Sequence, residues 1–187
     1  AYDIGAYDVA VNWNDEAFAH IRFQKAHAER FRAFPAWRKL FYDDHAARGA
    51  AFISIAASDP DLYSDIDPKR LTEASQAAGK ALMDYRTRLM SNKNTWCVVS
   101  VPTTAWARKV FPNCSATEAV DRLWGQILSA VRVSMDEDPI AVWQTHIQRL
   151  QKITAFLNAH AFTELHYRNA LGTDLRTELP KGHIWMA

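Results

Sequence analysis

The sequence predicts an α/β fold: a parallel sheet layered with helices, followed by the beginning of a β-rich second domain. Three observations carry this. Two short apolar runs of strand length, Ala50–Ala56 (AAFISIA) and Thr95–Val101 (TWCVVSV), are separated by a helix-length segment, the pattern of parallel strands joined by a crossover. Several segments open on marked helix starts: Asp67-Pro68, Ser115-Ala116-Thr117-Glu118 and Asp138-Pro139. Past His160 the texture becomes alternating, with Phe162, Glu164 and His166 on one side and Thr163, Leu165 and Tyr167 on the other.

In chain order, Tyr2–Ala6 reads as the tail of a helix with Gly5 just past its end. Tyr7–Val11 reads as a strand, Val9–Trp13 is the first strand candidate, and Asn14-Asp15-Glu16 opens a helical or mixed segment. Pro35 starts a helix carrying Trp37, Leu40 and Phe41, which Gly49 ends. Ala50–Ala56 is a strand of the type buried on both faces. Asp67 caps, and Pro68 opens, a helix that runs to about Met90. Thr95–Val101 is a second buried-type strand, and Thr103 to Phe111 is a short helix stopped by Pro112. The Ser115–Glu118 capping box leads a stripe of Val120, Leu123, Trp124, Ile127, Leu128 and Val131. Asp138-Pro139 starts the last helix, with Trp143, Ile147, Leu150 and Leu157 on one face and a last turn near Asn158–His160. Gly172, Pro180 and Gly182 punctuate the β-type region beyond. The domain division expected is 1–160, an N-terminal α/β domain truncated at its start, and 161–187, the entry into a C-terminal β-rich domain. Both ends read as cut, because an apolar, extended tail such as His183–Ala187 is a liability when left unpaired.

Composition narrows the function. The chain has 187 residues, 22 Lys+Arg against 21 Asp+Glu, and 49% hydrophobic residues. That is a globular balance, with neither the charge of a nucleic-acid footprint nor a disordered profile. No apolar run approaches the roughly 20 residues needed to span a bilayer. Two cysteines, Cys97 and Cys114, form no disulfide framework, which points to a reducing, cytoplasmic setting. Cys97, inside an apolar strand, reads as core. The seven tryptophans exceed what a core of this size needs. Trp37, Trp124 and Trp143 fall at helical core positions, whereas Trp13, Trp106 and Trp185 fall near strand ends or loops and are candidates for a surface or cavity.

No catalytic constellation is visible. Neither G-x-G-x-x-G, the P-loop nor G-x-S-x-G occurs. Cys114 precedes a capped helix, where a thiol can be activated, but no histidine is marked as its partner. A small buried thiol is the simpler account. The histidines His20, His27, His45, His146, His160, His166 and His183 lack H-E-x-x-H or H-x-D spacing. His166 with His160 or Glu164 could reach one metal without any specific spacing. Asp59, Asp61, Asp65 and Asp67 imitate a Ca²⁺ loop but lack its glycine and closing glutamate, so a solvated turn with an N-cap fits better. The basic residues Lys69, Arg70, Arg86, Arg88, Arg108 and Arg149 form no block. On residues alone, the catalytic, cofactor-binding and metal-ligating sets are all empty.

An ordered set of phrases nevertheless resembles one family. It comprises Val11–Asp15 (VNWND), Ile53–Pro60 (ISIAASDP), Asp67–Arg70 (DPKR), Val101–Pro112 (VPTTAWARKVFP), Leu123-Trp124, Pro139 to Asn158 and Gly172–Leu175 (GTDL). The set is similar to the N-terminal part of the thermophilic-type metallo-aminopeptidases, the aminopeptidase T and aminopeptidase S group, over nearly the whole chain. The resemblance implies a protein about twice this length. Its C-terminal domain would bind two divalent ions (Zn, Co or Mn) through Glu, His, Asp and Tyr side chains beyond Ala187. It also implies a homodimer enclosing its active sites, which releases N-terminal residues from peptides. The chemistry implied is two-metal hydrolysis, with a polarised carbonyl, an activated water and a carboxylate base. On this reading the 187 residues supply cavity wall and dimer surface and are inactive alone. Thr173, Asp174 and His183, at the entry to the second domain, border the site or form junction hydrogen bonds. Two other readings stand beside it: a stand-alone, non-catalytic α/β binding domain, and a Cys–His hydrolase built on Cys114.

Overall fold

The computed structural model describes residues 1–187. The elements run α1 (Glu16–Lys25), α2 (Ala36–Ala47), β1 (Phe52–Ala56), α3 (Pro68–Ala81), α4 (Met83–Met90), β2 (Trp96–Ser100), α5 (Thr104–Val110), α6 (Ala116–Ala130), α7 (Pro139–His160), β3 (Glu164–Arg168) and β4 (Asp174–Glu178). Short 3-10 turns occupy Tyr2–Ile4, closed by Gly5 in the left-handed region, and Ala28–Phe31. The chain divides into two compact units, Ala1–Trp124 and Gly125–Ala187, with the cut inside α6.

Local chemistry sets most helix starts where the sequence placed them. Asp15, Asp67, Thr103 and Asp138 each accept a backbone N–H at the start of α1, α3, α5 and α7, satisfying donors that a helix N-terminus leaves free. Ser115 accepts from Glu118 N–H at 3.3 Å. The Glu118 carboxylate turns instead to Arg122 at 2.8 Å, so only half of the capping box forms.

In the first unit, β1 and β2 pair in parallel, Phe52 opposite Trp96 and Ala56 opposite Ser100. The α3–α4 pair forms the crossover between them. An aromatic cluster packs against α3. Phe31, fully buried, stacks on Phe23 at 5.1 Å, and Phe23 meets Tyr63 edge-on at 5.1 Å. The Arg70 guanidinium caps the end of α1 by donating to the carbonyls of Phe23, Gln24 and Ala26 at 2.6, 3.2 and 3.1 Å. Phe41, Tyr42, Tyr85 and Phe52 form a second aromatic chain. Burial pushes the Tyr85 hydroxyl above its ordinary value.

Several expectations are corrected. Val9–Trp13 is not a strand: it has no ladder partner, and Val11 and Trp13 are 80% and 81% exposed. Its alternating pattern is real, but a strand exists only through its neighbour's hydrogen bonds. The sheet therefore has two parallel strands here rather than three. Nor are these strands buried on both faces: Ile53 and Ile55 are 73% and 68% exposed, and Cys97 is exposed. Trp37, expected in the core, is 70% exposed, while Trp124 and Trp143 are only partly covered. The single helix expected from Asp67 to Met90 is broken at Leu82, which leaves helical geometry (φ −99°, ψ 18°) and is itself buried.

The second unit holds α7 and one antiparallel hairpin, β3–β4, with Glu164 opposite Glu178 and Arg168 opposite Asp174. No residue of the 22-residue α7 is fully buried. No helix is long and apolar enough to cross a membrane.

Candidate functional site

The titratable residues expected near the second-domain entry are placed by the β3–β4 hairpin. Its turn is built by Asn169, whose Oδ1 accepts from Leu171 N–H at 2.9 Å and Thr173 N–H at 3.1 Å. Gly172 takes the positive φ (97°) that this turn requires. Alternation along the strands then puts Glu164, His166 and Arg168 on one face, across from Glu178, Arg176 and Asp174. The His166 ring bonds Asp174 Oδ1 through Nε2 at 2.6 Å, Arg168 reaches the other Asp174 oxygen at 3.5 Å, and Arg176 pairs with Glu164 at 2.9 Å. His166 and Arg168 line an open depression of about 510 Å³ with Tyr167, Asn169, Thr173 and Leu175.

An imidazole oriented by a carboxylate is the geometry that general-base chemistry uses. Here no hydroxyl or thiol bonds the second nitrogen of His166, and every carboxylate on the face except Glu178 is held by a cation. The charges are strand-to-strand partners, the ordinary stabilisation of an exposed hairpin. Glu164 is committed to Arg176. His160, the other imidazole expected within reach of a metal at His166, bonds the Phe156 carbonyl at 2.8 Å and stacks on Phe162 at 5.4 Å. His183 bonds the Pro180 carbonyl at 3.0 Å and meets Trp185 edge-on. Thus Thr173 and Asp174 share one hairpin with His166, whereas His183 hydrogen-bonds to none of them.

The other candidates also have their own partners. Cys114 donates its backbone N–H to Phe111 O at 3.2 Å, and no imidazole bonds its sulfur. The acidic stretch does not converge on a point. Asp59 accepts from Asp61 N–H, Asp61 pairs with Lys109, Asp65 accepts from His20 at 2.7 Å and Gln24 at 2.8 Å, and Asp67 caps α3. No group of three or more His, Cys, Asp or Glu side chains is placed to hold a metal ion. The residues present therefore do not fit a dinuclear centre, which requires several such ligands around each ion.

The hydrogen bond from His20, joined by Gln24, holds the Asp65 carboxyl below its ordinary value. A carboxyl lowered in the folded state stabilises above the unfolded value of about 4 and loses that contribution as pH falls through the lowered one. Asp65→Asn should therefore be less stable than the parent sequence at pH 7, with the difference closing below about pH 4. Denaturation midpoints of both proteins across that range check it, and a gap unchanged down to pH 2 would contradict it.

One arrangement escaped the sequence reading. The Asn158 side chain closes a two-way pair with the backbone of Trp185, donating to its carbonyl at 2.9 Å and accepting from its N–H at 2.8 Å. An asparagine in the last turn of a helix is the only local signal for it. Such a pair copies one rung of a β-ladder and anchors the chain after β4.

Comparison with known proteins gives a consistent result. The family described as thermophilic metalloprotease (M29) matches residues 1–187. The chain is 43% identical to aminopeptidase 2 of Geobacillus stearothermophilus over 185 residues, covering 99% of this chain and 44% of that protein. It is 42% identical to aminopeptidase AmpS of Bacillus subtilis, covering 99% of this chain and 45% of that protein. Among solved structures, wild-type AmpT from Thermus thermophilus is similar with a TM-score of 0.84 at 32% identity, over 99% of this chain and 45% of that one. The chain thus spans less than half the length of these relatives.

Proposed function

Because the chain belongs to the thermophilic metalloprotease (M29) family, we propose that it is part of an aminopeptidase that removes N-terminal residues from peptides, and that it supplies scaffold rather than the metal site. The observation that carries this is the pairing of a full-chain family match with coverage of only 44–45% of the relatives named aminopeptidase. Two further features support it. Side chains able to cage an ion are not gathered anywhere in residues 1–187. Large apolar side chains are exposed along the chain, among them Trp13, Trp37, Ile53, Ile55, Phe156 and Ile184, surface that further residues of a longer protein would cover.

On this reading, two divalent ions (Zn, Co or Mn) are held by residues outside 1–187 and supply the hydrolytic chemistry when bound. The present residues provide cavity wall and the surface of a cytoplasmic homodimer. Residues 1–160 form the N-terminal α/β domain, and residues 161–187 lead into a β-rich catalytic domain, since antiparallel pairing begins there. The His166–Asp174 pair belongs to that junction.

The test is turnover of leucyl and arginyl aminoacyl substrates by the full-length parent and by the 187-residue chain, each with added Zn²⁺ or Co²⁺. The parent should hydrolyse them and the chain should not. Turnover by the pure chain, or an inert parent, would overturn the assignment.

A further inference from the structure

The β1–β2 sheet has an open edge with a defined chemistry. Phe52 N–H donates to Thr95 O at 2.9 Å, and Ala56 O accepts from Val101 N–H at 2.8 Å. In a parallel pair the backbone groups of successive residues point to alternate sides. Phe52, Ser54 and Ala56 therefore face β2, while the N–H and C=O groups of Ile53 and Ile55 face away, where no strand meets them. These are also the two isoleucines whose side chains stand most in water on this strand. Unpaired backbone groups beside exposed β-branched side chains form a template for another strand.

A second observation gives this edge a counterpart. Val9–Trp13 carries exposed apolar side chains at alternate positions but has no ladder partner. Its far end is fixed beside the far end of β1. The Glu16 carboxylate, one residue past the Asp15 cap, accepts from Asp59 N–H at 3.2 and 3.4 Å, just after β1 closes. Asn12 donates to the Tyr42 hydroxyl at 2.7 Å, Tyr42 packs on Tyr85, and Tyr85 packs on Phe52 of β1. The two ties follow the same order along both segments, Asn12 leading through Tyr42 and Tyr85 to Phe52 and Glu16 to Asp59, and they are made by side chains and not by a backbone ladder.

We propose that the β1 edge and Val9–Trp13 are the two walls of a slot for one additional parallel strand, supplied by the part of the parent protein outside residues 1–187. The proposal rests on the reading of this chain as part of a longer protein. More than half the length of the matched relatives lies outside it, so the occupant need not be a separate partner. The strand is about as long as the five-residue β1. It is apolar and rich in Val and Ile, because both walls present apolar side chains and a charge between them would lie unpaired in a sheet interior. Once seated, it converts a two-stranded sheet into a four-stranded parallel one, with Val9–Trp13 as its edge.

Hydrogen–deuterium exchange with residue-level readout, on the full-length parent and on the 187-residue chain, tests this without substitution. The amides of Ile53 and Ile55, and those of Val9–Trp13 facing the slot, should exchange at least about tenfold more slowly in the parent. Equal rates in the two proteins would overturn the proposal. So would protection in the 187-residue chain that rises with concentration alongside a dimer mass, because the occupant would then be a second copy. Direct closure of Val9–Trp13 on β1 is separated by cysteine pairs, V11C with I53C and V11C with I55C, in the parent. A disulfide needs Cα atoms within about 7 Å, and an intervening strand holds them about 10 Å apart. No cross-link is expected, and efficient cross-linking would overturn the inserted strand. Protection in a parent that lacks peptidase activity would leave this inference standing and remove only the functional assignment.

Discussion

Replacing Phe31 with alanine is expected to lower the stability of the first unit by about 3–5 kcal/mol, the range for a buried phenylalanine truncated to a cavity. Phe31 is the one large side chain that is completely enclosed. It stacks nearly parallel to Phe23 (9° between planes), and the guanidinium groups of Arg22 and Arg70 lie 5.2 and 5.4 Å from its ring centre. Its removal therefore costs buried area, an aromatic pair and the surface on which Arg70 rests. Arg70 in turn holds the last carbonyls of α1, so the loss spreads to that helix end. Phe31→Leu keeps most of the apolar volume and should recover much of the difference. Urea denaturation of the three proteins checks the order, and a loss below about 1 kcal/mol for Phe31→Ala would show that the site collapses without penalty.

Asn94→Ala is the second substitution with a large expected effect, about 2–3 kcal/mol. Asn94 is only 4% exposed, the one buried polar residue of the chain. Its amide donates to the carbonyls of Ala46 and Ala50, both at 3.0 Å, and its oxygen accepts from Arg88 Nε at 3.0 Å. Arg88 also reaches Ala46 O at 2.9 Å. Together these bonds lock the end of α2, the turn before β1 and the loop before β2 into one network. Alanine leaves the Ala50 carbonyl and the Arg88 Nε donor without these partners, and such groups are expensive when removed from water. Asn94→Asp presents a carboxylate to two carbonyls and should fare no better. A denaturation midpoint for Asn94→Ala within about 0.5 kcal/mol of the starting protein would contradict the network's importance.

The contrast between these two sites explains what the sequence could disclose. Helix starts at Asp67, Thr103, Ser115 and Asp138 were legible because their determinants lie within three residues of each other. The runs around Ile53 and Val98 were legible as strands for the same local reason. Their burial was not, because an apolar pattern records the surroundings in which a segment ends up, and Ile53, Ile55 and Cys97 find no cover among these residues. Val9–Trp13 failed as a strand on identical grounds: period-two alternation names a face but supplies no hydrogen-bonded neighbour. Asn94 and Arg70 act across more than forty positions of sequence, and no local signal marks either one. At the candidate site, the sequence places Thr173, Asp174 and His183 at the entry to the second domain, and the first two share a hairpin. Their link to His166 emerged only from the antiparallel register, and His183 was separated from them by its own bond to Pro180.

The family resemblance rested on longer phrases than any of these local signals. VPTTAWARKVFP combines a strand end, an N-cap and a helix stop in one stretch, Val101–Pro112, and the match across 1–187 accords with it. That match, together with the lack of any gathered ligand set, makes ion binding the most direct point of attack. Zinc should be added in excess to the 187-residue chain and to its full-length parent, removed by dialysis, and the retained metal counted by elemental mass spectrometry. The parent should keep about two ions per subunit and the chain none. A chain that holds even one equivalent of zinc through its own side chains would contradict the account.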